Sequence, residues 1–150
     1  MSTAKNFLAG LGGAIALNIL HETMKKFQND VPHIDILGEE ALQKSMEYMG
    51  GDYVKKEILY VPTLAADLIG NALYYSMIGV GSNKNIWPKA VALGLTAGTG
   101  AITLPKSMGL NPEPVARNSK VSSMTVGYYL FGALVTGCIL KAFEQNNSLN

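Results

Sequence analysis

The chain has 150 residues, of which 48% are hydrophobic and 15% charged, against about 25% charged residues in an ordinary soluble domain. Twelve basic and eleven acidic residues leave a formal net charge of +1, which argues against nucleic acid as a partner, since that would call for a basic patch or stripe. The single cysteine, Cys138, excludes an internal disulfide and a multi-cysteine zinc site. High apolar content with low net charge argues against disorder, and the length fits one domain over residues 1–150.

The charges are unevenly placed. Asn6 to His21, Ala90 to Pro105 and Val121 to Leu140 contain no Lys, Arg, Asp or Glu, and Ile58 to Asn83 contains only Asp67. A helix crossing hydrocarbon needs roughly 20 residues. The second and fourth segments meet that length. The first meets it by starting at Ala4, and the third by starting near Ile86 or continuing through Pro105. The competing soluble bundle would carry charge on its outer face every turn or two, and Val121–Leu140 carries none. No sustained strand alternation is present. The expected fold is all-α: a four-transmembrane-helix bundle with spans at about 4–27, 57–80, 86–108 and 121–143.

In chain order, the first span concentrates Ala9, Gly10, Gly12, Gly13, Ala14 and Ala16, small residues that let a neighbouring backbone approach. Lys5 and the apolar run after it resemble a signal peptide. The run ends in His21-Glu22-Thr23-Met24, however, not in a small-x-small cleavage site, so a retained helix is expected. The first connector, Gln28–Glu57, contains an amphipathic pattern over Ile36–Met49. Leu37, Ala41, Leu42, Ser45, Met46 and Met49 share one face; Glu39, Glu40, Gln43, Lys44 and Glu47 share the other. This predicts a short helix on the membrane surface or across the bundle mouth, ended by Gly50-Gly51.

The second span holds Pro62 in its first turns. Trp87 and Pro88 open the third, with Trp87 suited to an interfacial anchor, and Gly94-x-x-x-Gly98 marks a close helix contact within or between chains. Gly109–Lys120, with Pro112 and Pro114, is expected to be irregular. Gly127, Gly132 and Gly137 recur every five residues and so drift around the fourth span, and the polar tail Glu144–Asn150 is expected to fray. Eight of the twelve Lys and Arg residues fall on the side of the first and third connectors and four on the side of the termini. The positive-inside rule then puts the longer connectors in the cytoplasm of a multi-pass inner (plasma) membrane protein.

Polar residues recur at helical spacing inside the spans. Thr63, Asp67, Asn71 and Tyr74 form one stripe, and Asn18, His21, Glu22 and Lys25 another. Thr96, Thr99 and Thr103 form a third, and Ser122, Thr125 and Tyr129 a fourth. A charge at membrane depth costs roughly 2.5–3.5 kcal/mol on insertion scales, so Asp67, near the expected midplane, is the leading candidate. Three readings of the converging stripes stand open. One is a structural core that fixes helix register, with Asp67 protonated or bonded to Asn18, Thr99 or Tyr74. Another is a binding or conduction pathway through Asp67, Asn71, Asn18, His21, Glu22 and Thr99. The last is a metal or catalytic site from His21, Glu22, His33 and Asp35, which suits zinc or iron by donor type. Adjacent His21 and Glu22 point about 100° apart on a helix, which counts against the last. Asp35 also suits a helix cap.

Leu20-His21-Glu22 followed by Pro32, Asp35, Leu37 and Gly38 resembles a pattern in small uncharacterised bacterial inner-membrane proteins, Leu-His-Glu and then Pro-x-x-Asp-x-Leu-Gly. The resemblance spans about a quarter of the chain, implies a bacterial membrane location and lends no activity. The sequence carries no strong enzymatic signature and names no cofactor. The expectation is a channel-like or transport-related protein, or an accessory subunit, in contact with the lipid bilayer as a homo-oligomer or part of a larger membrane complex.

Overall fold

Ser2 opens the first helix by accepting a hydrogen bond from the Lys5 backbone N–H at 3.3 Å, a cap that satisfies one of the unpaired donors of the first turn. A computed structural model describes residues 2–147, and the described residues are helical with no strand. Helix α1 spans Thr3–Phe27, α2 Ile34–Tyr48, α3 Lys56–Ser76, α4 Ile86–Ser107, α5 Glu113–Ala116 and α6 Ser119–Asn147.

The expected boundaries hold closely for the first and third spans. The second is shorter than expected: α3 ends at Ser76, and Met77–Gly79 tightens into a 3-10 turn. Pro105 is accommodated inside α4, which runs on to Ser107. The third connector is not wholly irregular, since Pro112 leads into the one-turn α5. The tail does not fray at Glu144 as expected, since α6 continues through Asn147; the remainder of that expectation, residues 148–150, lies outside the described residues.

Helices α2 and α4 stop by the same device. Gly50 and Gly109 take positive φ, +84° and +73°, where only glycine avoids a steric penalty. The Gly51 N–H then donates to the Met46 carbonyl at 2.9 Å, and the Leu110 N–H to the Pro105 carbonyl at 2.8 Å, so each last turn closes as a Schellman motif. Helix α6 is capped at its start by Asn118, whose side-chain oxygen accepts from the Val121 N–H at 2.9 Å.

The four long helices lie in the order α3, α1, α6, α4, each packed extensively on the next, while α3 and α4 hardly touch. Small residues set this order. A Cβ on Gly10 would strike the α3 backbone at Ala72 and Ser76, and one on Gly13 would strike Gly132 and Thr136 of α6. On α4, Gly94 faces Leu130 and Ala133, and Gly98 faces Val126, so this seam is consumed inside the chain. The five-residue glycine spacing of α6 gives each glycine different surroundings: open space at Gly127, Tyr75 and Gly13 at Gly132, Trp87 at Gly137.

The first and third connectors meet at one end of the bundle. The His33 N–H donates to the Pro114 carbonyl at 2.8 Å, and Arg117 bonds Asp30 at 2.9 Å. Lys44 Nζ donates to the Gly109 carbonyl, and Glu40 accepts from the Asn111 N–H at 3.0 Å. Helix α2 lies across this end, packed on α3 and α5. Gln43, expected on its outer face, is buried instead, because residues 50–55 fold back over it and the Val54 N–H donates to its side chain at 3.1 Å.

By length and composition two helices are apolar enough to cross a membrane, Thr3–Phe27 and Ser119–Asn146. Helices α3 and α4 do not reach that composition, so the four expected spans reduce at this level to two.

Candidate functional site

A chamber of about 700 Å³ opens between α3 and α4, within the range of small-molecule sites. Helix α1 contributes Leu17, Asn18, His21 and Glu22 to its wall, and α3 contributes Thr63, Leu64, Asp67, Asn71 and Tyr74. Thr96, Ala97, Ala101 and Leu104 come from α4, Tyr129 from α6, and Leu37, Gly38, Ala41, Leu42 and Ser45 from α2. The face of α2 read as lying on a membrane surface or across the bundle mouth closes one end of this chamber. Gly38 is where it approaches α3, since a Cβ there would meet the Thr63 methyl at 2.7 Å.

The polar group at the chamber's middle is Asp67. Asn18 Nδ2 donates to Asp67 Oδ2 at 2.9 Å, and Asn71 Nδ2 to Asp67 Oδ1 at 2.8 Å. Asn71 is one helical turn on from Asp67, and Asn18 faces it from α1 because Gly10 lets the two helices approach closely. Tyr74, next along the stripe, bonds elsewhere: its hydroxyl donates to the Leu93 carbonyl at 3.0 Å and ties α3 to α4. Among the described residues Asp67 has no cationic side chain within 4.0 Å.

A second polar group sits at the capped end. Lys25 Nζ lies 2.6 Å from Asp35 Oδ2 and 3.1 Å from Glu22 Oε1, joining α1 to the first turn of α2. Burial pushes the Asp35 carboxyl up; the Lys25 hydrogen bond and charge, aided by nearby His21, overcome this and hold it below the usual carboxylate value. Asp35 does not cap α2, where His33 holds that position without a side-chain bond. A carboxylate in the first turn still suits the positive end of the helix.

His21 is buried and turned to the connector backbone. Its Nε2 lies 3.1 Å from the Pro32 carbonyl and 3.3 Å from the Ile34 nitrogen, and its ring meets Tyr128 edge-on at 6.1 Å. This corrects the metal-site reading of His21, Glu22, His33 and Asp35. Among the described residues no three His, Cys, Asp or Glu side chains are grouped to hold a metal ion. The Lys25 ammonium occupies the place between Glu22 and Asp35 where a cation would sit, and His33 comes only to 4.0 Å from Asp35.

Of the pathway residues, Asp67, Asn71, Asn18, His21 and Glu22 share the chamber wall. Thr99 does not: it is exposed on α4, and its carbonyl accepts from Thr103 at 2.8 Å. Thr96, one turn earlier and likewise exposed, borders the chamber instead. Thr125 turns into the core, bonding the Val115 and Val121 carbonyls at 2.8 and 2.9 Å. The apolar lining from Leu64, Ala97, Ala101 and Leu104 carries no sequence signal beyond ordinary span residues.

No protein-family model, curated protein or solved structure matches the chain.

Proposed function

We propose that the chain is a four-span, multi-pass protein of a bacterial inner (plasma) membrane, and that it serves as a small-molecule-binding subunit, transport-related or accessory to a larger membrane complex. The chamber around Asp67 carries this reading, because a carboxylate with no counter-ion among the described residues, in a wall that is largely apolar, is expensive unless it is used. Four spans are supported by the outward faces of the helices. Leu8, Ile15 and Ile19 of α1, Ile58, Val61, Ile69 and Leu73 of α3, Val91 and Leu95 of α4 and Phe131 of α6 are exposed. A patch of that extent in water would be an aggregation liability. The joined connectors carry eight of the twelve basic residues on one end of the bundle, which supports their cytoplasmic placement.

A binding chamber is favoured over an open channel because α2 lies across one end and the Tyr74–Leu93 hydrogen bond ties α3 to α4 towards the other. The test is native mass spectrometry on protein taken from membranes in lipid nanodiscs. The expected spectrum contains a small-molecule adduct that is lost when Ala97→Phe and Ala101→Phe fill the chamber. A wild-type protein at its bare mass, with no adduct after exposure to a total lipid extract, contradicts the proposal.

A further inference from the structure

Resting on the binding reading above, we infer that the chamber takes a cationic amphiphile, a molecule with an apolar body and one protonated amine, from the hydrocarbon phase through the gap between α3 and α4, with its amine on Asp67. The first argument is access. Helix α1 forms the back of the chamber, α2 covers one end, and Tyr74 bridges to Leu93 at the other. Helices α3 and α4 both border the space yet hardly touch, so the remaining opening is on the side of the bundle. In a membrane that side faces lipid tails, and Leu104, 55% exposed, lies both on the wall and on the outer surface.

The second argument is the chemistry of the wall. Asp67 has two amide donors and, among the described residues, no cationic side chain within 4.0 Å. Two wall residues also carry a buried polar atom without a hydrogen-bond partner, Thr63 Oγ1 and Asp35 Oδ1. Threonines in helices commonly bond back to the carbonyl four residues earlier, as Thr103, Thr125 and Thr136 do. Thr63, one turn before Asp67 and 7% exposed, has no such bond. Unfilled buried polar atoms call for a partner. Thr63 Oγ1 can accept or donate, Asp35 Oδ1 can only accept, and each Asp67 oxygen keeps acceptor capacity beyond its one amide bond, so the group that complements all three is a donor. A carboxylate in low dielectric selects a positively charged donor over a neutral one. The larger part of the remaining lining is apolar, with Leu64, Ala97, Ala101 and Leu104 on two of its sides, so the rest of the ligand is hydrocarbon.

The test uses photoreactive diazirine analogues of dodecylamine, dodecanol and dodecanoic acid at equal membrane concentration, with the protein in nanodiscs at neutral pH. The amine is expected to label chamber residues such as Leu64 and Ala97 about tenfold more than the other two, and Asp67→Asn to abolish that preference. Thr63→Val, which leaves both Asp67 bonds in place, is expected to reduce labelling by the amine about threefold, and it stands in if the first variant misfolds. Butylamine, with the same head and no tail, is expected not to compete. Equal labelling by all three heads overturns the amine assignment while leaving a binding chamber. Competition by butylamine overturns entry from the membrane. Labelling confined to outer faces overturns the binding reading itself.

Discussion

Helices α1 and α6 lie at the centre of the bundle and are apolar enough to cross a membrane on composition alone, whereas α3 and α4 flank them and are not. The difference lies in which residues lower the average. On α3 they are Thr63, Asp67, Asn71 and Tyr74, all in the chamber wall. On α4 they are mainly Pro88 and Lys89 near its start and Pro105 and Lys106 near its end, with Thr96 in the chamber adding a little. The outward residues of the same helices, Ile69, Leu73, Val91 and Leu95, are as apolar as those of α1. A helix average therefore merges two faces, and a helix that builds a polar interior loses hydropathy without turning polar towards its surroundings.

The sharpest way to break this comparison is to wedge the packed side apart. Gly98→Leu drives a side chain into the Val126 backbone and is expected to cost roughly 1–3 kcal/mol or more, seen as loss of monodisperse protein and a lower Tm. Gly70→Leu and Gly127→Leu, which meet open space, are expected to leave Tm nearly unchanged. Equal effects at all three sites would erase the distinction between packed and open faces.

A smaller effect is expected at the capped end. Lys25→Met leaves Glu22 and Asp35 without their shared cation, at a cost of about 2 kcal/mol. The loosened α2 is expected to expose Leu42→Cys to a water-soluble maleimide, and unchanged protection shows that α2 does not depend on this clamp. In the chamber, Asp67→Ala removes the acceptor of Asn18 and Asn71. Its expected cost in thermal unfolding is about 1 kcal/mol, the size of interhelical polar contacts measured in membrane proteins.

The smallest effect concerns pH. Hydrogen bonds from Arg117 and Asn118 hold the Asp30 carboxyl below its usual value. Its contribution is thus present above the unfolded carboxylate pKa, about 3.9, and is lost as pH falls through the lower folded value. The Tm difference between wild type and Asp30→Asn is expected to be constant from pH 7 to 5 and to vanish in stronger acid. A difference that widens in acid contradicts this assignment.

Much of the helical frame was legible because charge-free runs and Gly50-Gly51 are local signals, and the α3 stripe was legible because Thr63, Asp67, Asn71 and Tyr74 keep helical spacing. What depends on helix rotation was not. Thr96 and Thr99 both fit a polar face of α4 and both are exposed, and only the packing of Gly94 and Gly98 on α6 puts Thr96, and not Thr99, at the edge of the chamber. The cluster of His21, Glu22, His33 and Asp35 suggested a metal site by donor type, but Lys25, only four residues from His21, neutralises it instead. Contacts between distant connectors, such as Asp30 with Arg117, leave no trace in spacing.

The central claim is that α3 and α4 stand in the membrane beside α1 and α6, with their polar residues turned to the chamber. Cysteine accessibility in intact membrane vesicles tests it most directly, with Ile69→Cys, Leu95→Cys and Tyr48→Cys each made in a Cys138→Ser background and treated with a membrane-impermeant maleimide on whichever side exposes α2. The account predicts prompt labelling at position 48, on exposed α2, and none at 69 or 95 until the membrane is dissolved in denaturing detergent. Prompt labelling at 69 and 95 in intact vesicles would place α3 and α4 in water and contradict it.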